Sequence, residues 1–172
     1  MPNISLAEAV KLKSLLMKRV HELEEEIMRV AYKIIEKDTV PEVGPRTVSV
    51  VDNEITETRK DIRTLDRLIY EANINNTVMF KDKAYTIVEA IELATQMRAQ
   101  ARIYKQLGAA EKERVQYGYG GEGATYIQIA LFNPEEYRLN ALQYEKEANK
   151  LSGLINAKNY AISLNFDDEK YA

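Results

Sequence analysis

Four stretches of this chain repeat apolar residues at alternating steps of three and four, and each is closed by residues that interrupt a helix. In the first, Leu16, Val20, Leu23, Ile27, Val30 and Ile34 recur in this way. The second runs Ile55, Thr58, Ile62, Leu65, Ile69 and Ala72, and the third Ile87, Ala90, Ala94, Met97, Ala101 and Tyr104. The fourth carries Tyr137, Ala141, Tyr144, Ala148, Leu151 and Ile155. This spacing draws one narrow apolar seam along a helix, and such a seam is stable only against a facing helix. The chain is therefore expected to be mainly α: an elongated antiparallel bundle of four helices with a small β element, completed as an oligomer.

Boundaries follow from local chemistry. Ser5 with Glu8 and Thr86 with Glu89 are capping boxes, in which hydroxyl and carboxylate satisfy reciprocal free amides. Asn133-Pro134-Glu135-Glu136 is the strongest helix start, with a capping asparagine and proline at the first helical position. Pro41, Gly44 and Pro45 predict a loop over residues 39–46, and the β-branched run Thr47 to Val51 an extended segment. The second helix is expected to start near Asp52 and end near Asn73, and the third to persist to Arg114. Val78 to Tyr85 predicts a small hairpin, Tyr117 to Gly123 a glycine loop, and Thr125 to Phe132 a strand. At 172 residues the length argues for one domain over 1–164, with 165–172 as a frayed tail.

Composition removes several function classes. With no cysteine there is no disulfide scaffold, thiolate zinc site or cysteine nucleophile, and a single histidine cannot build a histidine-rich metal site. No cofactor and no metal site is expected. A net charge of -3 disfavours a general nucleic-acid or anionic-membrane coat. No apolar run approaches the length of a membrane span, and the N-terminus does not read as a signal peptide. A cytoplasmic protein is expected, in the host cytoplasm if the chain is phage-encoded.

Several motifs carry a family resemblance. Leu6-Ala7-Glu8-Ala9-Val10, the stretch Leu68 to Thr77 ending in Asn75-Asn76-Thr77, Thr86 to Arg102, and Leu154 to Tyr160 together resemble the septicolysin-like family of small, mostly helical bacterial proteins. The resemblance covers most of the chain. It implies an oligomeric helical fold and brings no agreed activity and no catalytic residue. The chain departs from the family at Gly118 to Gly123, where the family has a more basic stretch.

The residues themselves offer one cluster with ligand chemistry. Arg98, Arg102, Lys105 and Lys112 share a helical stripe; Arg114 follows, then Tyr117, Tyr119 and Tyr126 around the glycines. Guanidinium groups hold phosphate, tyrosine rings stack on bases, and glycines let backbone amides approach an anion. The plainer alternative is a solvated cation stripe beside a hairpin tip. Gly118 to Gly121 is neither a P-loop nor a dinucleotide fingerprint. Arg59, Arg63 and Arg67 form a second stripe amid Glu54, Glu57 and Asp61; intrahelical pairing is the plain reading, and Arg63 at a subunit boundary would be an anion clamp. Asn73, Asn75 and Asn76 read first as a helix cap and turn. His21 reads as a surface residue, and Glu111, Glu113 and Glu122 stand as general bases without a partner nucleophile.

The expectation is a non-enzymatic homo-oligomer, a dimer or higher, that sequesters a small anionic nucleotide-like molecule at subunit boundaries through Arg98, Arg102, Lys105, Arg114, Tyr117, Tyr119, Tyr126 and Arg63. By analogy it extends to a phage anti-defence sponge for a nucleotide immune signal. The alternative is a structural or protein-interaction bundle whose Tyr/Gly loop docks a protein partner.

Overall fold

The computed structural model describes residues 2–118, 120–121 and 123–172. Four long helices dominate it: α1 (Leu6–Val30), α2 (Val48–Asn75), α3 (Ile87–Gly108) and α4 (Pro134–Ala161). Three antiparallel strand pairs accompany them. They are β1 (Asn3–Ser5) with β6 (Ser163–Asn165), β2 (Thr77–Phe80) with β3 (Lys83–Thr86), and β4 (Glu113–Gln116) with β5 (Tyr126–Ile129). The chain divides into two compact units, 1–76 with 158–172 and 77–157.

In the first unit α1 and α2 run antiparallel. Leu23 and Val51 are fully buried at the centre of a cluster with Val20 and Ile55, and Ile27, Val30 and Ile62 close its edges. Ion pairs line the seam: Lys13 meets Asp66, and Arg59 bonds Glu24 at 2.6 Å. α1 ends at Val30, earlier than its periodicity predicts, and Ile34 is fully exposed. The connection, expected over residues 39–46, therefore spans 31–47. Arg46 pins it by reaching Glu54 at 2.6 Å on α2 and Glu26 on α1. Those bonds, Glu54 first, raise the Arg46 pKa, and Arg46 holds the Glu54 carboxyl below its usual range.

Of residues 47–51, expected to be extended, only Thr47 is so. Thr47 caps α2 by accepting from the Val50 amide at 3.2 Å, and Val48 to Val51 form the first helical turn. A β-branched run there is compatible with helix because Val51 enters the core at the seam position preceding Ile55. At the other end Asn76 donates its side-chain amide to the Ala72 carbonyl at 2.8 Å, the capping role.

The terminal segments are tied together. Ile4 pairs with Leu164 across β1 and β6, and both are buried, as is Phe166. A 3₁₀ turn at Glu169–Tyr171 then brings Lys170 and Tyr171 onto Asp61 of α2. Burial pushes the Asp61 carboxyl up, but the hydrogen bonds from Lys170 and Tyr171 outweigh it and leave the pKa lowered. Burial, then Asp61, pushes the Tyr171 phenol up to about 12. The segment expected to fray is thus held by a buried ring and a charged clasp.

In the second unit the expected hairpin is present: Val78 faces Tyr85 and Met79 faces Ala84. Its turn is the two residues Lys81 and Asp82, both at positive φ (49 and 62), the sign that a type I′ turn demands. α3 opens with the expected capping box, Glu89 accepting from the Thr86 amide. It ends at Gly108 rather than Arg114, and residues 113–116 are strand. A Cβ at Gly108 would lie 2.7 Å from the Arg138 backbone, so the end of α3 touches the start of α4 through glycine. Beside that contact Tyr104 meets Tyr137 and Tyr144 edge-on, each at 5.3 Å, and Phe132 meets Tyr137 at 5.4 Å.

Two outcomes test this account. Gly108→Ala is expected to cost about 1–3 kcal/mol by forcing backbone apart, read by chemical denaturation. For the clasp, the native Asp61 pKa lies below the unfolded value of about 3.9. Its contribution is therefore complete above that pH and is lost as pH falls through the native value. Asp61→Asn is expected to remove that acid dependence at a cost of about 1 kcal/mol, discounted because Lys170 is half exposed. Hydrogen exchange at residues 166–171 reads it.

Candidate functional site

Cations expected to act together are put to different uses. The Arg98 guanidinium crosses from α3 to α4, donating to the Ser152 hydroxyl at 2.6 Å and the Asn149 side-chain oxygen at 3.4 Å. Lys112 closes the base of the β4–β5 hairpin, donating to the Ala130 carbonyl at 2.9 Å and the Phe132 carbonyl at 3.1 Å. Arg102, Lys105 and Arg114 are exposed and form no ion pair among the described residues. They remain free to meet an anion. Arg63 lies in the first unit, on α2, exposed and likewise unpaired among the described residues. Of its neighbours, Arg67 pairs within α2 with Glu71 at 2.9 Å, as the plain reading expects, whereas Arg59 reaches across to Glu24 of α1.

The described aromatic candidates flank the loop that joins β4 to β5. Tyr117 is 86% exposed at the end of β4. Tyr126 faces Gln116 across the hairpin, and its ring lies over Gly120. φ at Gly120 is +82, the left-handed region that favours glycine, and a Cβ there would push the outer edge of that ring aside. Tyr119 and Glu122 lie outside the described residues. His21 is exposed between Glu24 and Glu25, as a surface residue would be.

A concave site lies elsewhere in the second unit. Between the β2–β3 hairpin and α4 is a hollow of about 570 Å³, a size suited to a small organic ligand. Met79, Phe80 and Leu154 supply its apolar surface; Lys81, Lys146 and Lys150 supply cations, with Asp82, Gln143 and Glu147 beside them. Lys146 and Lys150 stand one helical turn apart on α4. Lys81 reaches Glu147 at 2.6 Å and sits 5.7 Å from the Phe80 ring centroid. Bonds from Lys81 first, then Gln143, hold the Glu147 carboxyl below its ordinary range. Glu147 is therefore ionised and neutralises Lys81, which leaves Lys146 and Lys150 unpaired among the described residues. Three lysines against two carboxylates give the hollow one net positive charge.

Periodicity alone did not reveal this site. Its lysines come from a hairpin turn and from α4, 65 positions apart, and only Lys146 and Lys150 are helical neighbours. The one available signal was two exposed lysines at a step of four on the polar side of the fourth seam. Among the described residues no group of histidine, aspartate and glutamate is arranged to hold a metal ion. No helix is long and apolar enough to cross a membrane.

No family model and no curated protein matches the chain. A solved structure does: a functionally unknown conserved protein from Corynebacterium diphtheriae superposes with a TM-score of 0.65 at 21% identity. The match covers 95% of this chain and 100% of that one, so the fold is shared over nearly the full length.

The ion pair inside the hollow generates a prediction. Glu147→Gln releases Lys81 and raises the net charge by one. Affinity for inorganic pyrophosphate is expected to rise several-fold at low salt, the gain shrinking as ionic strength increases, when followed by calorimetric titration.

Proposed function

We propose that this chain is a binding protein that holds a small phosphate-bearing, nucleotide-like molecule without turning it over. The observation that carries this reading is the hollow beside α4. Lys146 and Lys150, unpaired among the described residues, suit phosphate oxygens, while Met79, Phe80 and Leu154 offer the apolar surface that a base needs. A net-acidic chain binds an anion only where positive charge is gathered locally, and the hollow gathers it.

The fuller form of the proposal is a homo-oligomer in which Arg102, Lys105, Arg114, Tyr117 and Tyr126 contribute at boundaries between copies. Arg98 is then a positioning residue between α3 and α4 rather than a phosphate ligand. By analogy only, capture without turnover fits a phage sponge that removes a nucleotide immune signal. The motifs quoted above support a place among the septicolysin-like proteins as part of the same proposal.

A second reading, a helical interaction protein, is favoured by one feature: every residue of β4 and β5 is exposed. The two readings differ in what they bind. Nucleoside diphosphates and cyclic dinucleotides titrated into the full chain are expected to raise its melting temperature in proportion to the logarithm of ligand concentration. Lys150→Ala is expected to weaken that binding about tenfold, the loss of one charge-assisted contact. Ligand recovered after heat denaturation should be intact. Absence of any shift, together with loss of a protein partner in Arg102→Ala, would favour the interaction reading; a cleaved product would make the protein an enzyme.

A further inference from the structure

We infer that the β4–β5 hairpin is a self-association arm whose apolar face is covered by a second copy of this chain. Antiparallel register sorts its side chains into two sets, because residues directly opposite share a face. Glu113 pairs with Ile129 and Val115 with Ile127, so one face carries Val115, Ile127 and Ile129 with a single charge at its edge. Arg114 pairs with Gln128 and Gln116 with Tyr126, so the other face is polar. A ribbon with one apolar and one polar face is patterned for water on one side only.

Among the described residues of this unit, the apolar side stays open to solvent. Val115, Ile127 and Ile129 are 46%, 47% and 48% exposed, and Leu131 just beyond β5 is 95% exposed. A two-stranded hairpin is marginal by itself in water; it needs further strands or a packed surface against its apolar face. The Lys112 latch holds its base.

Surface area argues that the cover is another copy. The 19.7 kDa chain exposes 12679 Å². Even if its two units are counted as separate compact bodies of half that mass, scaling gives roughly 10,400 Å² together. The excess, on the order of 2,300 Å², surpasses the roughly 800 Å² per partner that a standard stable interface buries. Counterpart surface is available on the same unit, since Ile103, Leu139 and Leu142 are exposed on α3 and α4. An anionic bilayer fits less well, because the charge on the apolar face is Glu113 and the cation Arg114 points from the opposite one.

This arm deepens the oligomeric part of the capture proposal and rests on it. With the apolar face buried, Arg114 and Tyr126 remain on the open side of the ribbon at a boundary between copies, where a shared anion site would need them.

Sedimentation velocity of the full chain tests the inference. The wild type is expected to run as a dimer or larger, and Val115→Lys with Ile127→Lys as a 19.7 kDa monomer with unchanged helical circular dichroism. Gln128→Lys, on the polar face, is expected to keep the wild-type mass. Because the chain has no cysteine, Ile127→Cys and Gln128→Cys each carry one thiol, and a maleimide should label the first far more slowly than the second. A monomeric wild type, a double variant that stays assembled, or equal labelling of the two thiols would each overturn the arm. Failure of capture is distinguishable: it shows as an absent nucleotide-induced melting shift in a wild type whose assembly is intact.

Discussion

A helix with a single narrow apolar stripe cannot keep that stripe in water, so every long helix here is obliged to lie along another element. In the first unit this obligation is met by α1 and α2, whose fully buried Leu23 and Val51 face one another across an antiparallel seam. Arg46, Lys13 and Arg59 then fasten the flanks of that seam with ion pairs. Exposed pairs of this kind add little stability one by one. Their use here is geometric: they hold the partners in register and pin a connection that has no regular structure of its own.

Where helices begin was legible when a cap stood in the sequence, and less so where side-chain type misled. Ser5 with Glu8 and Thr86 with Glu89 form both reciprocal bonds of a capping box, and α4 starts behind Asn133, whose side chain accepts from the Glu135 amide. α2 starts four residues before Asp52, because valines at a helix N-terminus resemble a strand until one sees Val51 enter the core. Helix ends were harder. The α1 pattern continues to Ile34 after the helix has stopped, since periodicity in a loop looks like periodicity in a helix. α3 stops at Gly108, where the Arg138 backbone comes too close for a side chain, a fact about α4 that α3 does not carry.

Charge was the least legible property. Arg98 and Lys112 look like members of one cationic stripe, yet each is occupied, one bridging two helices and the other closing a hairpin. Lys81 and Glu147 carry no pattern that links them in sequence, yet they pair across the hollow beside α4. A cation's availability depends on which carboxylates and carbonyls fold back upon it. In the β4–β5 hairpin the reverse holds: alternation already separated Val115, Ile127 and Ile129 from Arg114 and Gln128, and register then showed which residues share a face.

By itself the amino-acid order determined that this would be a mainly helical chain of four long seams, with caps at Ser5, Thr86 and Asn133, a hairpin around Lys81-Asp82, and no thiol chemistry. Those properties are local, decided by neighbours within a turn or two. Tertiary structure decided why position 108 admits no side chain, how Ile4 and Phe166 anchor the two termini, and which lysines stay unpaired beside α4 among the described residues. Each of these depends on groups far apart in sequence meeting in space, and a hydrogen bond or buried contact between them leaves no periodic trace along the chain.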